Sequence, residues 1–249
     1  MPSPHQPDVS VVLPTWNGAK YLSQSIESVL HQEGVTKELI VVDDASYDYT
    51  PGICARYVEE YPDIIRYFRN ETQQKLPTCL NIGFSRANGK AWTWTSDDNY
   101  YRNNALNTMY KALLSTKSDV VYAGVTDINE NDKVLGINPT VHRDPGMLTR
   151  QNAVHACFLF EPRVYHQLGG YDPSLFGGED WDFWLRAYLH GSRFHYIDKQ
   201  LYCYRVHAHS VTQMNRPECL RAWSRIIWKN RLYRKYPNAL AMWLKATLA

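Results

Sequence analysis

Short, unbroken apolar runs alternate with segments of helical period through the first half of this 249-residue chain, and that rhythm restricts the fold more than any other feature. Val9 to Leu13 (VSVVL) ends at Pro14, and Glu38 to Val42 (ELIVV) ends at Asp43-Asp44. Runs that are apolar on both faces suit parallel strands buried between layers of helix. Between them Leu22, Ile26, Val29 and Leu30 recur at helical spacing, which completes a strand-helix-strand opening. The same rhythm predicts a helix through Ile53, Cys54, Tyr57, Val58 and Tyr61, and a strand at Ile64 to Phe68. A helix at Thr78 to Arg86, a strand at Ala91 to Thr95, a helix through Leu106 to Leu114 and a strand at Val120 to Ala123 follow. Such alternation predicts an α/β fold, a mostly parallel sheet with helices on both faces.

After Gly124 the rhythm changes. Asn129-Glu130-Asn131-Asp132 reads as the turn of a hairpin between Val125 to Ile128 and Val134 to Ile137. A smaller mixed region follows: an apolar segment His155 to Phe160, loops at Gly169-Gly170 and Gly177-Gly178, a helix from near Glu179, and strands near Phe194 to Ile197 and Leu201 to Val206. The expected division is a body of residues 1–215, split near 124 into halves 9–124 and 125–215, and a helical tail 216–249. With 44% apolar residues the body is large enough for a real core, which argues against disorder.

Charge separates tail from body. The formal net charge of +2, from 27 basic and 25 acidic residues, is too balanced for a chain that coats nucleic acid. Residues 216–249 hold eight basic residues against one acid, Glu218, a net of +7, which leaves 19 against 24, or −5, in residues 1–215. Arg221 to Tyr236 interleaves Arg and Lys with Trp, Ile, Leu and Tyr, a pattern that suits an anionic membrane interface. It equally suits a helix packed on the body or on a second copy in a homo-oligomer. Five cysteines, an odd number without C-x-x-C pairing, read as buried thiols of a reducing compartment. Met1 to Asp8 has no apolar leader core, and no stretch approaches the roughly 18 apolar residues of a membrane span. The expectation is a soluble, cytoplasmic protein, with the inner face of a membrane one of the two surfaces open to its tail.

In an open α/β sheet ligands bind beyond the carboxyl ends of the strands. Those ends carry Pro14-Thr15-Trp16-Asn17-Gly18, Asp43-Asp44-Ala45-Ser46 and Ser96-Asp97-Asp98-Asn99. No dinucleotide or P-loop glycine motif follows any strand, which disfavours a dehydrogenase or P-loop NTPase. Asp97-Asp98 can hold a hard divalent cation, Mg²⁺ or Mn²⁺, that also takes diphosphate oxygens; the alternative is plain turn chemistry. Glu179, Asp180 and Asp182 open a helix, where the dipole favours the ionised carboxylate and so a general base; the alternative is ordinary first-turn complementation. His207, after a strand, is a candidate metal or phosphate contact, and Lys75 a candidate phosphate or base contact, against structural and solvated alternatives. Trp16, Trp92, Trp94, Trp181 and Trp184 are either sugar-stacking surfaces or core.

These motifs, in this order, resemble the family 2 glycosyltransferases of the GT-A fold. The residues that carry the resemblance are VSVVLPTWNGAKYLSQSIESVLHQ (Val9 to Gln32), ELIVVDDAS (Glu38 to Ser46), NIGFSRANGKAWTWTSDDN (Asn81 to Asn99), GGYDPSLFGGEDWDFWLRA (Gly169 to Ala187) and YRVHAHSVT (Tyr204 to Thr212). The resemblance implies a Rossmann-like sheet with a nucleotide-sugar-binding half (9–124) and an acceptor-binding half (125–215). It places Pro14, Thr15 and Asp44 around the base, with Asp44 accepting from the ring N–H of uracil or thymine, and Asn17 and Lys75 on the same nucleotide-sugar side. Lys75 stands where Arg is more usual, so a bidentate fork becomes a point charge. Asp97 is implied near the donor ribose and sugar, Asp98 and His207 at the metal and diphosphate, Asp180 as the catalytic base and Glu179 as its neighbour or an acceptor contact. The implied reaction is inverting, metal-dependent transfer from a UDP- or dTDP-sugar to a saccharide or lipid-linked acceptor, in polysaccharide or glycoconjugate synthesis. Two other readings stand beside it: a sugar nucleotidyltransferase, which usually has a basic, Gly-rich loop after the first strand, and a non-catalytic saccharide-binding module.

Overall fold

A computed structural model describes residues 6–208, 210 and 216–230. Strands β1 (Val9–Thr15), β2 (Lys37–Asp43), β3 (Ile65–Arg69) and β4 (Ala91–Trp94) run parallel in the order β3-β2-β1-β4, joined through helices α1 (Leu22–Leu30), α2 (Thr50–Glu60) and α3 (Leu76–Phe84). Every residue of β1 is buried, which is why its sequence is apolar without alternation. β1 runs through Pro14, where the sequence predicted an end. Pro14 pairs in register with Val42 of β2, while the ladder to β4 has already closed at Val12, so the missing Pro14 N–H leaves no bond unmade.

The rest of the sheet is mixed. After β5 (Tyr100–Tyr101) and α4 (Ala105–Thr116) come β6 (Val120–Ile128), β7 (Val134–Ile137), a 3₁₀ turn (Pro145–Thr149), β8 (Phe158–Phe160), α5 (Pro162–Leu168), α6 (Glu179–Leu189), β9 (Phe194–Arg205) and α7 (Arg216–Lys229). The sheet continues from β4 as β8-β6-β9-β5, with β7 on the side of β6. Two predicted pairs of strands prove continuous: Val120–Ile128 is one strand, and so is Phe194–Arg205. Their parallel ladder shifts register at Gly124, where a Cβ would stand 2.3 Å from the Gln200 side chain, and exposed Asp198 and Lys199 bulge outward. Local composition showed that bulge as a break.

One core layer packs Val9, Val11 and Leu13 of β1 against α1, α2 and α4. The opposite layer gathers Trp92, Phe160, Trp184 and Phe183 with α5, α6 and α7. Helix α7 buries Cys219, Ala222, Ile226 and Ile227 against the body, while Trp228 stays exposed. Positions 231–236 of the predicted amphipathic segment lie outside the described residues. All five cysteines are buried free thiols. Among the described residues no helix is long and apolar enough to cross a membrane.

Candidate active site

The carboxyl ends of β1, β2 and β4 and the amino end of α6 meet around one cleft of about 1040 Å³. Pro14, Thr15, Asn17, Asp44, Lys75, Asp97, Asp98, Glu179, Asp180 and His207 all line it. Sequence reasoning therefore brought together ten residues spread over nearly 200 positions.

On the strand side, Asp44 is buried and its carboxylate organises a loop. It accepts from Asn70 Nδ2 (2.8 Å), Gln74 N (2.7 Å) and Lys75 N (2.8 Å), which holds Lys75 in a left-handed backbone (φ 69°) ahead of α3. Asn17, also left-handed (φ 54°), donates from its backbone to Ser46 Oγ (2.9 Å) and accepts from Tyr47 N (3.0 Å), which ties the loops after β1 and β2 together. Thr15 Oγ1 donates to Asp97 Oδ2 at 2.6 Å. Burial, and then the charge of Asp98, push the Asp97 carboxyl up to about 7.

Asp98 Oδ2 lies 2.9 Å from His207 Nε2, while its Oδ1 is buried with no hydrogen-bond partner. A buried carboxylate oxygen left open beside an imidazole nitrogen fits a divalent cation that takes its other ligands from substrate oxygens. Among the described residues no three His, Cys, Asp or Glu side chains converge, so Asp98 and His207 would share such a cation with a diphosphate.

Arg205, at the end of β9, is a residue that sequence reasoning misses. Its buried guanidinium donates from Nε to the Asp98 carbonyl (2.9 Å), from Nη1 to the carbonyls of Asn129 and Glu130 (3.0 and 3.2 Å), and from Nη2 to Gln24 Oε1 and Asp132 Oδ1 (both 2.7 Å). It also lies 4.3 Å from the centre of the Tyr21 ring, which itself meets His207. A lone Arg at the end of an apolar strand is the signal that could have found it.

Across the cleft, Glu179 Oε2 accepts from Gly177 N (2.7 Å) and Gly178 N (3.1 Å). Asp180 accepts from Trp181 N and from Asn152 Nδ2, both at 2.7 Å. Their acidity corrects the sequence argument. A helix dipole is worth about 0.3–1 kcal/mol, and burial outweighs it. Burial raises the Asp180 carboxyl, and burial reinforced by the charge of Asp180 pushes Glu179 up to about 8. The third carboxylate, Asp182, turns away to pair with Arg186 at 2.6 Å. Of the tryptophans, Trp92, Trp94, Trp181 and Trp184 are core, Trp94 and Trp181 also lining the cleft beside exposed Trp16.

Sequence reasoning missed Asn152, which holds Asp180, and His155, whose backbone is left-handed (φ 59°) and whose Nδ1 is buried unpartnered. Burial lowers His155 to about 4. Both sit in an irregular segment with no periodicity to place it.

The family model described as glycosyl transferase family 2 matches residues 10–167 of the chain. The chain belongs to glycosyltransferase family 2. It is 30% identical over 201 residues to the putative glycosyltransferase EpsE of Bacillus subtilis, covering 79% of this chain and 72% of that protein. It is 29% identical over 237 residues to an uncharacterized glycosyltransferase of Rickettsia bellii, covering 90% of this chain. The chain spans about a third of the length of that relative and of two further Rickettsia relatives. Among solved structures, Staphylococcus aureus TarS in complex with UDP-GlcNAc superposes with a TM-score of 0.71 at 20% identity, over 88% of this chain and 65% of that one. The mannosyltransferase PcManGT of Pyrobaculum calidifontis, in complex with GDP-Man and Mn²⁺, gives 0.71 at 18% identity, over 100% and 75%. The family 2 chain thus has the GT-A fold.

Proposed function

We propose that the chain catalyses inverting transfer of a sugar from a nucleotide-diphosphate sugar, UDP-linked first and dTDP-linked second, to a hydroxyl of a saccharide or lipid-linked acceptor. The observation that carries this reading is the pairing of two acidic sites across one cleft. Asp98 and His207 form a cation-competent pair on the strand side, and Asp180 stands opposite on a rigid helix end.

Thr15, Asp44, Asn17 and Lys75 bind the nucleotide part, and Asp97 meets the ribose and sugar. A divalent ion on Asp98 and His207, when bound, supplies positive charge against the departing diphosphate. Asp180 takes the proton from the acceptor hydroxyl as its oxygen bonds to the anomeric carbon. The bond from that carbon to the diphosphate oxygen breaks with its electron pair leaving on the nucleoside diphosphate. A carboxylate made more basic by burial is a better match for this task than one acidified by a dipole, and a placed base is worth roughly 10²–10⁴ in rate. Asn152 fixes the Asp180 rotamer.

The test is incubation with Mn²⁺ and a panel of UDP-, dTDP- and GDP-sugars. Free nucleoside diphosphate, lost on chelation with EDTA, is the expected product. Pyrophosphate exchange would mark a nucleotidyltransferase, which the loop Thr15-Trp16-Asn17-Gly18-Ala19, neither basic nor glycine-rich, disfavours. Saccharide binding with neither product would mark a binding module.

A further inference from the structure

We infer that helix α7 is a wall of the active cleft and that Trp223 is a positioning residue for the Glu179–Asp180 corner; the inference rests on the catalytic reading of that corner. Both Glu218 and Trp223 line the cleft. Trp223 Nε1 donates to the Gly177 carbonyl at 3.1 Å. Gly177 is left-handed (φ 79°), and a Cβ there would stand 2.5 Å from Cys219 Sγ. A Cβ on Gly178 would meet Ile226, Ala222 and Trp223 at 3.0–3.1 Å. The two glycines therefore lie moulded against α7, a fit that side chains would block.

Those same glycines point their amides at Glu179 Oε2. The chain of contacts runs from the Trp223 indole to the Gly177 carbonyl, through the peptides to the Gly177 and Gly178 N–H groups, and on to Glu179 and Asp180. The basic side chains of α7 are used in the same way. Lys229 Nζ lies 2.8 Å from Asp172 and 3.6 Å from Asp182, and Arg225 Nη1 donates to the Ser174 carbonyl at 3.3 Å. At the amino end Glu218 comes within 4.0 Å of Lys75, whose ammonium also sits over the Phe176 ring. On one side of the loop ahead of the two carboxylates the tail's Lys229 meets body acids, and on the other its Glu218 meets the body's Lys75.

Two substitutions separate the N–H from the bulk of the indole. Trp223→Phe keeps an aromatic ring and loses the donor. Trp223→His keeps a five-membered ring whose Nε2–H falls where the indole N–H was. Both are made in the full chain and measured by hydrogen exchange over residues 176–181, by UDP affinity in Mn²⁺, and by UDP release from UDP-GlcNAc. One hydrogen bond is worth about 0.5–1.5 kcal/mol, so Trp223→Phe is expected to speed exchange of the 177–181 amides and lower kcat by roughly threefold to tenfold. UDP affinity is expected to stay unchanged, and Trp223→His to recover most of both losses. Exchange at 177–181 equal in Trp223→Phe and the parent chain would overturn the inference, as would equal losses in the two variants. A parent chain that binds neither UDP nor dTDP and releases no nucleoside diphosphate from the donor panel would instead overturn the catalytic reading, while the exchange result still decides what α7 does to the loop.

Discussion

The two carboxylate pairs that face each other across the cleft are held by different means. Asp97 and Asp98 end a strand and are wired by polar groups: Thr15, His207 and, behind them, the five guanidinium hydrogen bonds of Arg205. Glu179 and Asp180 begin a helix and are held by the backbone amides of Gly177, Gly178 and Trp181 and by Asn152, with the apolar side chains of α7 packed behind the two glycines. The strand-side corner leaves one oxygen, Asp98 Oδ1, open for a cation, although burial raises Asp97 beside it. An apolar cage raises a carboxylate's affinity for a proton, which is what a base requires. Two pairs of like residues thus take different work from their surroundings.

The contrast breaks most sharply at the two carboxylates proposed as base and cation ligand. Asp180→Asn is expected to lower turnover by roughly 10²–10⁴ while UDP binding in Mn²⁺ persists. Asp98→Asn is expected to abolish the Mn²⁺ dependence of UDP binding itself. Titration calorimetry with UDP, with and without Mn²⁺, checks the division. Loss of UDP affinity in Asp180→Asn, or its full retention in Asp98→Asn, would erase the distinction between the corners.

Arg205 tests the polar cage from outside. Arg205→Met keeps the length and removes every donor, leaving the carbonyls of Asp98, Asn129 and Glu130 unpaired. Groups that orient a metal ligand from behind typically contribute 10–100-fold in metal affinity, and the expected loss in apparent Mn²⁺ affinity and turnover lies in that range. The unpaired carbonyls add a stability loss of about 3 kcal/mol by urea unfolding. The counterpart in the apolar corner, Trp223→Phe, is expected to leave Mn²⁺ dependence alone.

The strand-side corner was legible in the sequence because parallel strands advertise themselves. VSVVL and ELIVV are apolar on both faces, and whatever follows them must reach one rim, so Thr15, Asp44 and Asp98 were placed by topology alone. Arg205 was harder, since its partners come from α1, the β6–β7 turn and the loop after β4, which only the mixed sheet brings together. The helix-side corner was legible as a motif but not as an environment. Dipole reasoning lowered the pKa that burial in fact raises, because nothing in residues 177–186 reveals the layer that α7 lays over them. Asn152 and His155 had no periodicity to place them.

The smallest effect on turnover is expected at Glu179, and it measures the apolar cage directly. Glu179→Gln preserves an oxygen to accept from Gly177 and Gly178, so turnover near neutral pH should stay within about threefold of the parent, provided the side chain is already protonated there. The folded chain holds that proton up to about 8, whereas an unfolded chain releases it near 4.5. Between those values the native state binds more protons than the unfolded state, so stability falls as pH rises through the window and is level outside it. Gln removes this contribution. Asp97, raised to about 7, gives both chains a similar decline up to that pH. The diagnostic interval is therefore pH 7 to 8 in the presence of EDTA, where the parent should keep losing stability in urea unfolding and Glu179→Gln should lose less. Parallel curves across that interval would mean that Glu179 is ionised in the folded chain, and that the enclosure by α7 does not set the charge of the helix-side corner.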